Sequence, residues 1–365
     1  MHLYIHVPFC ARRCSYCDFA IAVRRVVPSD AFAAAVLAEW RTWQAHSAWV
    51  ESPALDTIYL GGGTPSRLAP GAIATILDQV GADRAVAPGA EVTLEANPDD
   101  VSPAAARAWH RAGVNRVSLG VQSFEPRVLA WMHRTHTAEQ VPLAVSVLRD
   151  AGIDNLSLDL IFALPRELER DWSADLDRGL ALAPDHLSLY GLTVEPHTPL
   201  GRWTARAETR PLDDESYAAE FLTLVARIEA AGFDHYEVSN AARPGRRARH
   251  NSAYWRRAPF IGLGPSAHSG FGATRQWNVR DWAAYERSAA EGRSLVAGHE
   301  VLEPGALLLE ERYLGLRTSD GLPPGALPDA ILAAWRTQGW ATVTDRVRLT
   351  PEGWLRLDAL VAALP

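Results

Sequence analysis

The sequence predicts an α/β fold in which a partial (β/α)6 barrel precedes a small α+β domain. Six short runs of aliphatic and β-branched residues alternate with helical patterns, which is typical of βαβ units in a parallel sheet. Two helical patterns, 102–113 and 137–152, close on glycine, where a helix commonly ends. Six strands are too few for a complete eight-stranded barrel, so we expect an open, TIM-like one.

The six predicted strands are short and apolar, and they span 3–7, 56–60, 91–96, 116–121, 155–162 and 186–192. After the first strand, a helix is predicted from Ser29 to about Trp49, because Ser29 and Asp30 after a proline make a typical helix start.

Polar residues fall where three of these strands end. Functional residues of such sheets lie at the carboxyl ends of strands, and Glu95, Gln122 and Asp159 occupy such positions. A polar residue at a strand end also commonly caps the following turn. Position alone therefore leaves the role of each residue open.

Three segments are expected along the chain: the barrel at 1–240, a connecting segment at 241–303 and a small domain at 304–365. From Pro304 onward the pattern changes to helix, helix, short hairpin and helix, which is typical of a winged-helix-like domain. Its residues form no strongly basic face, so we interpret it as a packing or partner-docking module rather than a DNA-binding one.

Composition narrows the function classes. The net charge of −7 and pI near 6.0 argue against nucleic acid as a partner. The sequence contains no lysine, which excludes a lysine Schiff base. No apolar run reaches the roughly 18 residues of a membrane span, and the start lacks the pattern of a signal peptide. We therefore expect a cytoplasmic protein whose cysteines form no disulfides.

The three cysteines form the strongest motif. Cys10, Cys14 and Cys17 follow the first predicted strand with the spacing Cys-x3-Cys-x2-Cys. Thiolates suit zinc and iron–sulfur clusters, but a closed zinc site needs four ligands. Either His6 or Asp18 completes a zinc site, or one metal position is open to an external ligand. The spacing favours an iron–sulfur cluster with an open iron.

This motif at the end of a first strand resembles the hallmark of the radical S-adenosylmethionine (SAM) superfamily. The branch it resembles contains the oxygen-independent coproporphyrinogen III dehydrogenases (HemN type) and the HemW-type haem chaperones. The similarity covers essentially the whole chain, through the motifs GGGTPS (61–66), TLEANP (93–98), SLGVQSF (118–124), HRTH (133–136), LDLIFALP (158–165), SLYGLTVEPHTPL (188–200) and HNSAYW (250–255).

The resemblance implies a [4Fe-4S] cluster on the three cysteines, whose unique iron chelates the amino and carboxylate groups of SAM. It also implies a set of SAM-binding positions, namely Tyr4, Gly62, Gly63, Thr64, Glu95, Gln122, Arg134 and Asp159. Tyr16, between two of the cysteines, would shield the cluster or simply pack in the core. Without the resemblance, the GGGTP run would fit an ordinary tight turn equally well.

Three features favour the chaperone side of this branch. The dehydrogenases carry a further cysteine where Phe19 stands here, and they extend before the first strand. The third feature is HNSAYW, which matches the HNxxYW motif associated with haem binding in HemW proteins.

The same motif suggests how haem would be held. His250 is the candidate iron ligand, with Tyr254 and Trp255 against the porphyrin and nearby arginines at the propionates. Two alternatives remain: His268 in the GLGPSAHS loop as the ligand, and HNxxYW as a buried loop anchor.

The resemblance therefore implies a haem chaperone that delivers haem to apo-proteins such as respiratory enzymes. The alternative is a dehydrogenase that decarboxylates coproporphyrinogen III to protoporphyrinogen IX, so enzymatic activity stays undecided. A weaker alternative is a zinc or iron–sulfur protein without SAM chemistry. The sequence also leaves open a homodimer and a transient contact with a membrane surface.

Overall fold

In the computed structural model, which describes residues 1–47, 49 and 52–365, twelve strands form one open sheet and four more form two small sheets. The strands in chain order are His2–Val7 (β1), Phe9–Cys10 (β2), Ala22–Val23 (β3), Ala54–Gly62 (β4), Ala85–Ala96 (β5), Arg116–Gln122 (β6), Asn155–Phe162 (β7), His186–Gly191 (β8), Asp234–Glu237 (β9), Asn240–Ala242 (β10), Phe260–Leu263 (β11), His268–Phe271 (β12), Thr274–Asn278 (β13), Val296–Val301 (β14), Ala341–Val343 (β15) and Val347–Leu349 (β16).

Helices connect these strands. In chain order the α-helices are Ser29–Thr42 (α1), Pro70–Asp83 (α2), Pro103–Arg111 (α3), Pro126–Trp131 (α4), Gln140–Asp150 (α5), Trp172–Ala181 (α6), Pro199–Ala205 (α7), Asp214–Ala230 (α8), Arg249–Trp255 (α9), Trp282–Ala290 (α10), Pro304–Leu316 (α11), Asp329–Thr337 (α12), Pro351–Trp354 (α13) and Leu357–Ala362 (α14).

The six parallel strands β1 and β4 to β8 are neighbours in chain order, which confirms the partial (β/α)6 barrel. The sheet continues past both ends of this barrel. On one side β11 pairs parallel with β1, and β12 to β14 follow as an antiparallel meander. On the other side β10 and β9 pair antiparallel after β8. The segment 241–303 therefore contributes strands to the same sheet as the barrel.

The first helix is shorter than predicted. It ends at Thr42 rather than near Trp49, and residue 48 of the predicted range lies outside the described part of the chain. The side chain of Gln44 donates a 3.1 Å hydrogen bond to the Trp40 carbonyl, and Trp49 Nε1 donates to the Trp43 carbonyl at 2.8 Å. These side chains satisfy backbone carbonyls at and just beyond the last turn, so the chain can leave the helix there.

The small C-terminal domain has the predicted order of two helices, a hairpin and terminal helices. Its hairpin, β15 and β16, is antiparallel, and Leu322 bridges to Val347 beside it. Trp354 is buried, and its indole N–H donates a 3.0 Å hydrogen bond to the Leu316 carbonyl at the end of α11. The predicted order of elements is therefore present, and the winged-helix-like domain stays a prediction. Among the described residues, no helix is long and apolar enough to cross a membrane.

Candidate metal and cofactor site

The cysteine loop leaves the sheet directly after β1 and is held at several points. Its ends are paired where β2 and β3 lie parallel, with Cys10 opposite Val23. Ser15, in the middle, donates its backbone N–H to the Met132 carbonyl at 3.2 Å, and its own carbonyl accepts from the Leu200 N–H at 2.8 Å. The loop is therefore anchored to elements that follow β6 and β8.

The loop borders a cavity of about 400 Å³ at the carboxyl ends of the parallel strands. This volume lies within the range of ordinary ligand sites, roughly 300–1,000 Å³. Most of the predicted site residues line it: Cys10, Cys14, Tyr16, Cys17, Gly62, Gly63, Thr64, Glu95, Gln122, Arg134 and Asp159. Residues from six separate segments of the chain thus meet at the edge of the sheet that the parallel topology predicts.

Two of the thiols accept hydrogen bonds from neighbouring side chains. Thr64 Oγ1 donates to Cys10 Sγ at 3.4 Å, and Arg134 Nη1 donates to Cys14 Sγ at 3.5 Å. Burial raises the pKa of the Cys10 thiol and raises that of Cys17 to about 11. Neutral thiols are poor ligands, so binding to iron must supply the free energy that deprotonates them.

The three thiols fit a cubane cluster. Such a cluster takes one thiolate at each of three irons, and all three sulfur-bearing residues border the same cavity. Among the described residues, no three His, Cys, Asp or Glu side chains converge closely enough to hold a single metal ion. His6, considered above as a fourth zinc ligand, hydrogen bonds through Nδ1 to the Tyr4 hydroxyl and through Nε2 to the Ala20 carbonyl.

The glycine loop after β4 approaches β1 very closely. Gly62 has φ +109°, and a Cβ there would lie 2.6 Å from the His6 ring. A Cβ at Gly63 would lie 2.9 Å from the Val7 carbonyl oxygen. Their amides are engaged within the protein: Gly62 N–H donates to Glu95 at 2.9 Å and Gly63 N–H to Val7 at 2.8 Å. Glycine is required here by close backbone packing and a left-handed conformation.

Two carboxylates lie on the floor of the cavity. Glu95 accepts hydrogen bonds from the Tyr59 hydroxyl at 2.8 Å and from the Gly62 amide. Burial, together with the nearby charge of Asp159, raises the pKa of Glu95 to about 7. Asp159 lies inside β7, so the prediction that it stands at a strand end is wrong. It accepts from Ser118 at 2.9 Å, and burial raises its pKa as well. Both groups would be stabilised as anions by a cationic ligand.

Arg134 and Gln122 occupy the wall between the carboxylates and the cluster loop. Arg134 Nη2 donates to Asn97 Oδ1 at 2.6 Å and to the Gly120 carbonyl at 2.7 Å. Its Nε is buried and has no hydrogen-bond partner among the described residues. Gln122 ends β6 with φ 67°. An unpaired buried N–H costs free energy, and an acceptor such as a ligand carboxylate or a cluster sulfur would satisfy it.

The cavity also contains residues that the sequence analysis did not single out. Asn97 and Ser118 position Arg134 and Asp159, and both lie inside motifs noted above. Tyr190 also lines the cavity, at the end of β8. Its position at a strand end is the sequence feature from which its place in the cavity could have been predicted. Tyr16 lines the cavity and also packs on the apolar cluster around Met132, which supports a packing role, and its shielding of a cluster stays a prediction.

Tyr4 lies outside this cavity. Its hydroxyl bonds to His6 Nδ1 at 3.1 Å, and its ring lies 6.1 Å from that of Tyr59. It borders a different cleft, next to the HNxxYW helix α9. Its position behind the glycine loop allows it to support the cavity but not to line it.

His250 is also outside the cavity and is 1% exposed. Its Nδ1 bonds to Thr57 Oγ1 at 2.6 Å and its Nε2 to the Tyr254 hydroxyl at 2.8 Å. Its backbone N–H donates to Glu91 at 3.0 Å. In this conformation neither ring nitrogen is available to haem iron, and the arrangement is that of a buried anchor.

Comparison with known proteins agrees with this geometry. The model of the Radical SAM superfamily, whose members use a [4Fe-4S] cluster and SAM, matches residues 4–178. A structure of coproporphyrinogen III oxidase (HemN) from Escherichia coli superposes with a TM-score of 0.81 over 99% of this chain and 88% of that chain. Their sequences are 20% identical, so this likeness concerns the fold.

Relatives in sequence indicate the family more narrowly than the structural match does. The haem chaperone HemW of Mycobacterium tuberculosis is 39% identical over 99% of this chain and 94% of that protein. HemW of Bacillus subtilis is 33% identical over 87% of this chain and 84% of its own length. HemW of Escherichia coli is 38% identical over 73% and 69%. The chain therefore belongs to the radical SAM superfamily and, within it, to the HemW family.

Proposed function

We propose that this protein is a haem chaperone, which binds haem near the HNxxYW helix and delivers it to haem-requiring proteins such as respiratory enzymes. The observation that carries the proposal is the identity of 39% to a haem chaperone along 99% of the chain. The structure adds support, because α9 borders clefts that are separate from the cysteine cavity. A cargo and a cluster with SAM could therefore be bound at the same time.

Within this proposal, Cys10, Cys14 and Cys17 hold the cluster. The buried Nε–H of Arg134 would donate to the carboxylate of SAM, and Glu95 and Asp159 would accept from its ribose hydroxyls or balance the charge of its sulfonium. When bound, the cluster supplies an electron to SAM. The surrounding residues orient the cofactor, donate hydrogen bonds to cysteine sulfur and exclude water from the cluster.

The arginines around α9 make the surface beside the HNxxYW helix positively charged, which suits an acidic cargo such as haem. An arginine-rich cleft of about 520 Å³ lies beside Trp255, and among its lining residues are Arg247, Arg249, Arg256 and Arg346. Arg247 is already paired with Asp320 at 3.1 Å, whereas Arg256 is exposed. Part of this charge is therefore neutralised within the protein, and part is presented to solvent.

The test uses full-length protein reconstituted anaerobically with iron and sulfide. We expect saturable binding of one haem per chain, and transfer to an apo-respiratory cytochrome faster than to apo-myoglobin, which serves as an unspecific haem sink. A matched variant with Cys10, Cys14 and Cys17 all changed to Ala separates the contribution of the cluster. If no stoichiometric haem complex forms, the proposal fails.

A second assay addresses the dehydrogenase alternative directly. The reconstituted protein is incubated with reductant, SAM and coproporphyrinogen III under anaerobic conditions. We expect no protoporphyrinogen IX, and its formation would overturn the proposal. Transfer would take place in the cytoplasm or at a membrane surface, which vesicle flotation tests. Light scattering of the haem-free and haem-bound protein tests for a homodimer.

A further inference from the structure

A cleft of about 430 Å³ lies on the side of β1 that faces α9 and the small domain. Its walls come from five parts of the chain: β1, the helix α9 with the strand after it, β12 with the loop that leads into it, Arg275 on β13, and α11. Among the described residues, it shares no lining side chain with the cysteine cavity. Its lining includes aromatic, basic and acidic side chains, among them Tyr4, Tyr254, Trp255, His268, Arg275 and Glu310.

Three histidines lie in or beside this cleft, and they differ in their hydrogen bonding. His6 and His250 each have both ring nitrogens hydrogen bonded to protein atoms. His268, the first residue of β12, is exposed, and within the described part of the chain no hydrogen bond or ion pair engages its ring. Its ring lies 5.9 Å from that of Trp277. Of the three, His268 alone has an imidazole free to bind a ligand in this conformation.

The charge state of His268 also suits a metal. Partial burial lowers the pKa of its imidazole below the ordinary value. The neutral ring, which has a lone pair for iron, therefore predominates near neutral pH. The neutral state of the ring thus agrees with its lack of hydrogen-bond partners in the described part of the chain.

The remaining walls match a flat, apolar molecule with acidic edges. Tyr4, Tyr254, Trp255 and Phe260 line the cleft, and the indole N–H of Trp255 is buried with no hydrogen-bond partner among the described residues. Aromatic rings pack well against a porphyrin face or edge.

Two arginines at the cleft share one carboxylate. Arg257 lies 2.7 Å and Arg275 2.8 Å from the same oxygen of Glu310 on α11. Two positive charges against one negative charge leave an excess positive charge beside the aromatic walls. Carboxylates such as porphyrin propionates pair with guanidinium groups in this setting.

We infer that haem binds in this cleft with His268 as its axial ligand, and that His250 acts as a buried positioning residue behind it. In this arrangement HNxxYW contributes aromatic walls through Tyr254 and Trp255 rather than the iron ligand. The inference rests on the proposed function, because it assigns the site of the same cargo. No covalent step is involved, since the imidazole nitrogen only coordinates ferric or ferrous iron.

The test compares haem complexes of reconstituted full-length variants by magnetic circular dichroism and by resonance Raman spectroscopy with Soret excitation, which report the iron ligand. His268→Ala should weaken haem binding on the order of 10–100-fold and remove the histidine-ligated spectrum. The matched control is His299→Ala, because His299 is an exposed histidine on β14 of the same sheet. This variant should keep the wild-type haem affinity and spectrum. In His268→Gly, added imidazole should restore the wild-type spectrum.

The outcomes separate this inference from the proposed function. If wild-type protein binds no haem, the chaperone proposal itself fails and this assignment with it. If wild type binds haem and His268→Ala keeps the wild-type spectrum and affinity, only the assignment is wrong. A folded His250→Ala variant, verified by circular dichroism and by its cluster absorbance, should retain histidine-ligated haem. Loss of that ligation in His250→Ala alone would also overturn the assignment.

Discussion

The phenol ring of Tyr59 stacks on the imidazole of His250 with their centres 5.0 Å apart, while its hydroxyl donates a 2.8 Å hydrogen bond to Glu95. Glu95 in turn accepts from the Gly62 amide on the cavity side. A single side chain on β4 thus joins the HNxxYW helix to the floor of the cluster cavity. The motif therefore has a structural role at the cofactor site even without contacting iron.

We expect Tyr59→Phe to weaken SAM binding by a few-fold. The substitution keeps the ring on His250 but removes one hydrogen bond to Glu95, a loss worth about 0.5–1.5 kcal/mol. Isothermal titration of SAM into the reconstituted protein measures the effect. Tyr190→Phe, which lines the same cavity without bonding to Glu95 in the described structure, is the control. Equal SAM affinity in wild type and Tyr59→Phe would show that this contact does not position the carboxylate.

SAM affinity should rise with pH near neutrality. Burial raises the pKa of Glu95 to about 7, so SAM, whose sulfonium is cationic, must bind with loss of a proton below that pH. For one proton, the affinity should rise roughly tenfold between about pH 6 and about pH 8. In Glu95→Gln the rise should largely disappear, although affinity is lower throughout. An unchanged pH profile in that variant would assign the titration to another group.

Because Glu39 is buried, its deprotonation should lower the free energy of unfolding as pH rises. It is buried, and it accepts hydrogen bonds from the Tyr285 hydroxyl, the Gly264 amide and Asn278. Burial raises its pKa from 4.5 to about 7. Between these values the folded state keeps a proton that the unfolded state releases, so the free energy of unfolding falls as pH rises through this window.

Urea unfolding at about pH 5 and about pH 8 measures this effect in wild type and in Glu39→Gln. The decrease in the free energy of unfolding from about pH 5 to about pH 8 should be smaller in Glu39→Gln than in wild type, by up to about 3 kcal/mol. Other groups contribute equally to both proteins, so the difference between them isolates Glu39. A fall of the same size in the variant would contradict the prediction.

Gly62→Ala should damage the cavity more than an equivalent change elsewhere. The new methyl would lie 2.6 Å from the His6 ring, and φ +109° is strained for alanine. We expect a loss of about 1–3 kcal/mol in stability and weaker SAM binding. Gly71→Ala is the matched control, because no atom lies within 4 Å of its added carbon. Thermal unfolding and SAM titration compare the stability and the SAM affinity of the two variants. Equal losses in Gly62→Ala and Gly71→Ala would contradict the prediction.

Arg134→Ala should make the cluster harder to reduce. The side chain places a positive charge and a hydrogen bond at Cys14 Sγ, 3.5 Å away, and both favour the more negative reduced cluster. A potentiometric titration followed by EPR should therefore show a more negative potential. Arg12→Ala, at an exposed position lining the same cavity, should shift it less. Equal shifts in the two variants would attribute the effect to net charge alone.

The sequence predicted those features that depend on local pattern. Strand periodicity placed the six barrel strands, and the carboxyl-end rule brought Glu95 and Gln122 together at one cavity. The partners of His250 were not predictable in this way, because its ring bonds to Thr57, which is 193 positions earlier in the chain. The parallel pairing of β11 with β1 creates this contact, and such long-range pairing has no local signature.

The His6 imidazole links the cysteine loop to the cleft beside α9. Because the Ala20 carbonyl can only accept, His6 Nε2 carries the proton and Nδ1 accepts from the Tyr4 hydroxyl. Ala20 belongs to the loop that folds around iron, whereas Tyr4 borders the second cleft. The position of the Ala20 carbonyl therefore selects the tautomer of His6, and that tautomer gives the Tyr4 hydroxyl a fixed acceptor. A change in the conformation of the cysteine loop that moves this carbonyl would be transmitted to the hydroxyl of Tyr4.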